Sequence, residues 1–176
     1  MVGVAGVLGP GADLPEEMAE WTTHGDEETT VDFAVDGAEF QLTNHALLAG
    51  DQPVTATGPD GDEVRIWVWG DVFGHGTGDD YDPREGPPDG SARYVADLYA
   101  EHGMAFVDAI NGDFAVLVYD PDADTLSLVT DLLASRPFYV ARPADDRLVF
   151  ASNLQALPHH DAVDAALDGD YLQEYL

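Results

Sequence analysis

Apolar residues in this chain fall mainly into short runs that alternate with polar residues or are bounded by Gly, Pro, Asp and Asn. Such runs are typical of β-strands. They predict strands over residues 2–8, 31–35, 39–43, 63–70, 114–119, 125–130, 138–142 and 147–151. An Asp36-Gly37 pair between the second and third strands is typical of a tight hairpin turn.

Three segments are predicted to be helices, over residues 15–21, 91–102 and 163–176. The second has the clearest helical spacing of apolar residues, with Ser91 placed to cap it and Gly103 to end it. A stretch rich in Gly, Asp and Pro over residues 73–90 predicts a long loop. Strands, a helix and then hairpins predict an α+β domain of antiparallel sheets.

The composition indicates a globular chain. Its 176 residues suggest one domain, and 45% hydrophobic content argues against disorder. There is no cysteine, so disulfides, thiolate metal sites and thiol catalysis are excluded. Neither a membrane-spanning apolar run nor a signal-peptide pattern is recognisable. We therefore expect a cytoplasmic protein.

The charge balance is extreme, with 35 acidic residues, six arginines and no lysine, for a net charge of −29. The acids are spread along the whole chain, which favours salt adaptation in a halophile over mimicry of nucleic acid or the binding of basic proteins. No basic stripe is present to neutralise phosphates, so nucleic-acid binding is not expected.

The second half carries three segments in a fixed order: LYAEHG…FV…INGDFAV…YD over residues 98–120, TD…RPFY over residues 130–139, and FASNLQAL over residues 150–157. They resemble the "LY…G…F…LNGMFAFAIYD", "RD…G…KPLYY" and "FASEIKAL" segments of asparagine synthetases. The resemblance places the chain with the N-terminal class II glutamine amidotransferase domains of the asparagine synthetase and β-lactam synthetase superfamily. It implies the four-layered αββα sandwich of N-terminal-nucleophile (Ntn) hydrolases.

In working family members, this domain hydrolyses glutamine with a cysteine that follows the initiator Met, and its α-amino group acts as the base. The resemblance puts Val2 at that position, where the side chain has no polar atom. It therefore implies that the chain has no catalytic residue of the family type.

The remaining pocket positions also depart from the family pattern. The family's oxyanion loop matches residues 69–75, with Trp69 in place of an asparagine donor and able to fill the pocket. Gly70 is retained and is expected to offer its backbone N–H. Asp71 stands for a glutamate, Gly74 for a second asparagine, and Ser91 for the acid that holds the substrate ammonium.

The arginine that holds the glutamine carboxylate is also missing. The matching segment is residues 44–48, followed by Gln52-Pro53, and it contains no arginine. The loss of several groups together implies a degenerate amidotransferase site, as in the β-lactam synthetase branch.

Other interpretations of the polar residues are weaker. Processing could expose a substitute nucleophile at Thr22, Thr23, Thr29 or Thr30. Asp120, Asp122, Asp124 and Asp131 imitate an EF-hand spacing but lie between predicted strands and lack the required glycine, which favours an acidic turn. Two further groups could suggest a metal, but no metal site is predicted from them: His75 with Asp79, Asp80, Asp82 and Glu85, and the triplet His159-His160-Asp161.

The leading hypothesis is a catalytically inactive, glutaminase-like domain over residues 1–157, followed by a linker and the start of a helix over residues 158–176. Its role would be structural or regulatory, beside an ATP-dependent amide-forming synthetase domain in cis or in trans. ATP and Mg²⁺ would belong to that partner, and no cofactor is expected in this chain. The alternatives are a working glutamine-hydrolysing domain that supplies ammonia to asparagine synthesis, and a small-molecule binding module. A homo-oligomer is left open.

Overall fold

The computed structural model describes residues 2–76 and 78–166, which contain two antiparallel sheets of five strands each. The strands are β1 (Gly3–Leu8), β2 (Glu28–Val35), β3 (Ala38–His45), β4 (Val54–Thr57), β5 (Glu63–His75), β6 (Asp82–Pro83), β7 (Ile110–Asp120), β8 (Thr125–Thr130), β9 (Tyr139–Ala141) and β10 (Leu148–Ala151). The first sheet has the order β2-β3-β1-β10-β9, and the second has β4-β5-β7-β8 with β6 paired to β5. The predicted antiparallel α+β architecture is confirmed.

The helical elements of the described residues are short except for one. They are α1 (Glu16–Ala19), α2 (Ala46–Ala49), α3 (Ser91–His102) and five 3₁₀ turns, Glu20–Thr22, Gly78–Asp80, Pro88–Gly90, Gly103–Asp108 and Leu154–His159. Helix α3 has the predicted bounds. It ends at Gly103, whose φ of +55° lies in the left-handed region that glycine adopts without strain.

The two sheets face each other across an aromatic core. Phe33 and Phe40 of the first sheet lie 4.9 and 5.0 Å, centroid to centroid, from the ring of Trp67 in the second. Each strand alternates its side chains between this core and an outer layer, as a period of two requires. The first sheet is thereby held to the second by the largest buried side chains of the molecule.

Helical elements cover the outer faces of both sheets. Val95 and Tyr99 of α3 pack on the second sheet, against side chains such as Ile66 and Val116. Behind the first sheet, Met18 of α1 packs with residues of β1, β10 and the last 3₁₀ turn. The layers therefore run helix, sheet, sheet, short helices, in agreement with the expected sandwich.

Several elements differ from the prediction. The predicted loop over residues 73–90 is shorter, because β5 continues to His75 and its end pairs with β6. Gly74 makes this pairing feasible, since a β-carbon there would overlap the backbone oxygen of Asp82. The four-residue elements β4 and α2 were not predicted at all.

The helix predicted over residues 163–176 does not begin at Val163. Residues 163–166 have no regular secondary structure, and the rest of the prediction lies outside the described residues. The Asp164 carboxylate accepts a hydrogen bond from the Ala166 backbone N–H at 3.0 Å, a local bond that competes with a helical turn. None of the described helices is both long and apolar enough to cross a membrane.

Candidate functional site

Val2 lines a cavity that residues of both sheets help to form. The cavity has a volume of about 450 Å³, and its walls include Trp69, Arg136, Tyr139 and Leu154. Val2 is half-buried and presents only methyl groups. The structure therefore brings together two of the sequence-predicted positions, Val2 and Trp69, in one pocket, and the position of the family nucleophile carries no polar side-chain atom.

Trp69 forms a wall of this cavity and does not fill it. Its side chain is only 5% exposed and lies under the Arg136 guanidinium, whose central carbon is 5.0 Å from the indole ring centroid. Within the described part of the chain, its indole Nε1 is buried and has no hydrogen-bond partner. The stacked arginine holds the indole in place and leaves the cavity open.

Gly70 does not offer a free backbone N–H, contrary to the expectation from the sequence. That N–H donates to the Asn44 side-chain oxygen at 3.2 Å, and the Asn44 amide donates to the Val68 carbonyl at 2.7 Å. Asn44 is almost fully buried and bridges β3 to β5 through these bonds. The backbone group that would stabilise an oxyanion is thus used to join the two sheets.

Asp71 and Ser91 meet each other on the far side of the second sheet, away from the cavity. The Ser91 hydroxyl donates to Asp71 at 2.8 Å and accepts from the Val72 N–H at 3.0 Å. Arg84 donates to the same Asp71 oxygen at 2.7 Å. Ser91 is therefore not the predicted helix cap, because it is the first residue of α3 and Gly90 holds the cap position.

Gly74, Asp71 and Ser91 do not line the cavity around Val2. Gly74 is buried against β6, and the other two fasten β5 to α3. Of the five pocket positions expected from the resemblance, Trp69 lines the cavity and Gly70 follows it directly on β5.

Arg136 is the charged residue of this cavity, and the sequence did not single it out as a pocket position. Its Nε lies 3.0 Å from the Asp113 carboxylate and its Nη2 lies 3.4 Å from the other oxygen of the same group. A β-carbon at Gly70, where φ is +104°, would overlap Arg136 Nε and the Asp113 carbonyl oxygen. The only sequence signal was its place in the RPFY segment, which gave no indication that it would reach β5.

The alternative nucleophiles are not placed at the cavity mouth. Thr22 is almost fully buried in the 3₁₀ turn after α1, and its hydroxyl contacts the Gln41 side chain at 2.8 Å and the Thr43 hydroxyl at 3.1 Å. Thr30 contacts the same Thr43 hydroxyl at 3.1 Å. These hydroxyls form a hydrogen-bonded network on the first sheet.

The Asp120–Asp131 region is a hairpin between β7 and β8, as the acidic-turn interpretation predicted. The Asp120 carboxylate accepts from the N–H groups of Asp122 and Ala123. Asp131 caps the next turn, where its carboxylate accepts from the backbone N–H groups of Leu133 and Ser135. Burial acts to raise the pKa of Asp131, but these hydrogen bonds outweigh burial, so the pKa is lowered. Among residues 2–76 and 78–166, no three His, Asp or Glu side chains are placed to hold a metal ion.

Comparison with known proteins identifies the family of this chain. The model of the glutamine amidotransferase domain matches residues 85–176, just over half of the chain. The chain belongs to the glutamine amidotransferase domain family. This confirms the resemblance drawn from the three sequence segments.

Two relatives of this family member are glutamine-hydrolyzing asparagine synthetases. Asparagine synthetase 2 of Bacillus subtilis (strain 168) is 26% identical over 178 residues, which cover 91% of this chain and 22% of the relative. Asparagine synthetase 3 of Arabidopsis thaliana is 26% identical over 110 residues, which cover 62% of this chain and 18% of the relative. The chain thus spans about a fifth of the length of these relatives.

Proposed function

We propose that this amidotransferase domain does not hydrolyse glutamine and serves a structural or regulatory role beside an ATP-dependent synthetase domain. The observation that carries the proposal is the apolar side chain of Val2 at the cavity, in the position where the family has its nucleophile. Acyl transfer without a nucleophile would need strong activation of water, and no metal-binding cluster is present in the described residues.

The surroundings of Val2 support concerted loss of the site. The Gly70 N–H is bonded to Asn44, and Trp69 replaces an asparagine donor. Each oxyanion donor contributes about 100- to 1,000-fold in rate. The loss of donors therefore lowers activity independently of the missing nucleophile.

Two segments of the chain support a neighbouring domain. Residues 132–144 and 147–160 contain no Asp or Glu, although the chain has 35 acidic residues. Within these segments Leu132, Leu133 and Leu154 are 99%, 83% and 59% exposed. Exposed leucines in acid-free segments of a very acidic protein are typical of a surface that a partner covers.

Restoring the nucleophile tests the proposal. We expect the Val2→Cys variant, assayed for glutamate release at about 1 M KCl, to remain inactive, because the donors and the ammonium-binding acid are missing as well. Proper folding would be checked by comparing its thermal transition with that of the unmodified chain. Glutaminase activity in Val2→Cys would contradict the concerted loss of the site.

Coexpression with a synthetase domain, as one chain or two, tests the neighbouring role. Leu133→Asp should weaken the association at least about tenfold, because a charge would be buried at the contact. Leu47→Asp is the matched control, since Leu47 is 70% exposed and lies outside the acid-free segments. Equal association of both variants would show that Leu133 is not part of the contact.

A further inference from the structure

The cavity beside Val2 differs in charge from the rest of the molecule. None of its lining residues is Asp or Glu, and one of them is Arg136. Acidic residues make up 35 of 176 positions in the chain, so their absence here sets this cavity apart. The lining offers no charged partner to an ammonium group, which disfavours free amino acids as ligands.

Arg136 has hydrogen-bonding capacity left over. Asp113 takes its Nε and Nη2 atoms, while Nη1 has no hydrogen-bond partner among the described residues. The guanidinium is held from below by Trp69 and from one edge by Asp113, so its direction is fixed before a ligand arrives. A pre-oriented guanidinium with a free edge is well suited to bind a carboxylate.

The remaining walls are mostly apolar with a few polar groups. Tyr139, Leu154 and Val2 supply apolar surface around the cavity. The Ser152 oxygen accepts from the Val4 N–H at 3.0 Å, which leaves the hydroxyl hydrogen available to an acceptor. The volume of about 450 Å³ lies within the range of small-molecule sites.

We propose that this cavity binds a small monocarboxylate with an aromatic or branched apolar body and no ammonium group. The carboxylate would bond to Arg136, with Ser152 as a second donor, and the apolar body would pack on Tyr139 and Leu154. Such a ligand lacks both the ammonium and the side-chain amide of glutamine. The inference goes beyond the structural role proposed above and does not depend on it.

Isothermal titration calorimetry tests the ligand class. The probes are 3-phenylpropionate, phenylacetate and 4-methylpentanoate. Their amides are the counterparts that lack the negative charge, and L-phenylalanine is the counterpart that adds an ammonium. We expect at least one acid to bind about tenfold or more tightly than its amide and than L-phenylalanine. Absence of binding by all three acids, or equal binding of acid and amide, would overturn the proposal.

Two variants test the role of Arg136. Arg136→Gln should reduce the affinity for the acid about tenfold or more and leave that for the amide nearly unchanged. Asp113→Asn should increase the affinity for the acid, because the asparagine oxygen can still accept from Arg136 Nε and hold its direction while the competing negative charge is removed. Arg142→Gln, which changes an arginine outside the cavity, is the matched control and should bind normally.

The two variants remain informative if one is unstable. Should Arg136→Gln fail to fold, Asp113→Asn still decides, because a decrease in acid affinity there would contradict the proposal. The readout is the heat of binding and not ammonia release, so failure of this inference and failure of the proposed inactivity are distinguishable.

Discussion

At the scale of single residues, the burial of His160 makes the stability of the fold depend on pH. It is only 2% exposed, and its Nδ1 accepts a hydrogen bond from the Ala162 N–H at 3.2 Å. Burial lowers the pKa of His160 and the nearby Arg147 lowers it further, while Asp161 acts in the opposite direction. The folded protein therefore holds this histidine neutral at a pH where the unfolded chain begins to take up a proton.

The contribution of His160 to the free energy of unfolding should accordingly fall as the pH drops below about 6.5. The slope contributed by this one group is at most about 1.4 kcal/mol per pH unit. His160→Asn keeps an acceptor for the Ala162 N–H but does not titrate, so its stability should decrease less between about pH 6.5 and pH 5. Chemical denaturation of both proteins across that range measures the difference, and parallel curves would contradict the assignment.

The sequence predicted some of the cavity residues and could not predict others. Val2 and Trp69 were predicted as positions of one pocket because the family segments fix them, and the structure places Val2 just before β1 and Trp69 on β5. Arg136 lies 23 residues after Asp113, and their ion pair depends on how the segment between β8 and β9 meets β7, for which a sequence pattern carries no signal. The role of Asn44 was missed as well, because the sequence marked it only as part of a segment without arginine. Its alternation with Phe40 and Leu42 on β3 is the signal that it faces inward.

At the scale of elements, Ser91 fastens the end of β5 to the start of α3. It is almost fully buried, and its hydroxyl joins the Val72 N–H to the Asp71 carboxylate, which Arg84 also contacts. Strand β5 and helix α3 pack against each other through apolar side chains on the outer face of the second sheet. This polar junction sets where the helix begins relative to the strand.

Ser91→Ala should destabilise the protein by about 1–3 kcal/mol, because it leaves a buried N–H without an acceptor. Ser127→Ala is a suitable control, since Ser127 lies on β8 and makes no side-chain hydrogen bond within the described residues; its effect should stay within about 0.5 kcal/mol. Urea unfolding measures both. A Ser91→Ala variant as stable as Ser127→Ala would contradict the structural role of this junction.

The elements that the sequence predicted well are those with clear periodicity. Helix α3 and the β2–β3 hairpin were predicted because apolar spacing and turn residues agree there. The end of β5 was missed because Gly, Asp and Pro around residues 73–83 are typical of loops, while pairing with β6 and β7 holds the strand together. Tertiary pairing of this kind overrides local preference.

At the scale of the whole molecule, the net charge of −29 is the dominant feature. Repulsion among the acids acts against the compact state, and added salt screens it, since the Debye length falls from about 10 Å at 0.1 M to about 3 Å at 1 M. Raising KCl from about 0.1 M to about 2 M should therefore raise the melting temperature by roughly 4–8 °C, which corresponds to about 2 kcal/mol.

Replacement of two exposed acids provides the control for this salt effect. Asp79→Asn with Asp80→Asn removes two negative charges from the surface, so it should reduce the dependence of the melting temperature on KCl. Calorimetry of both proteins at several KCl concentrations measures this dependence of the melting temperature on salt. A melting temperature of the unmodified chain that does not change with salt would contradict the electrostatic account.

The central claim concerns the whole domain, a retained amidotransferase sandwich whose site does not hydrolyse glutamine. The most direct measurement is the release of glutamate and ammonia from glutamine by the unmodified chain at about 1–2 M KCl. We predict no release above a blank without protein. Release that increases in proportion to the concentration of the chain, and that follows it through gel filtration, would contradict the account.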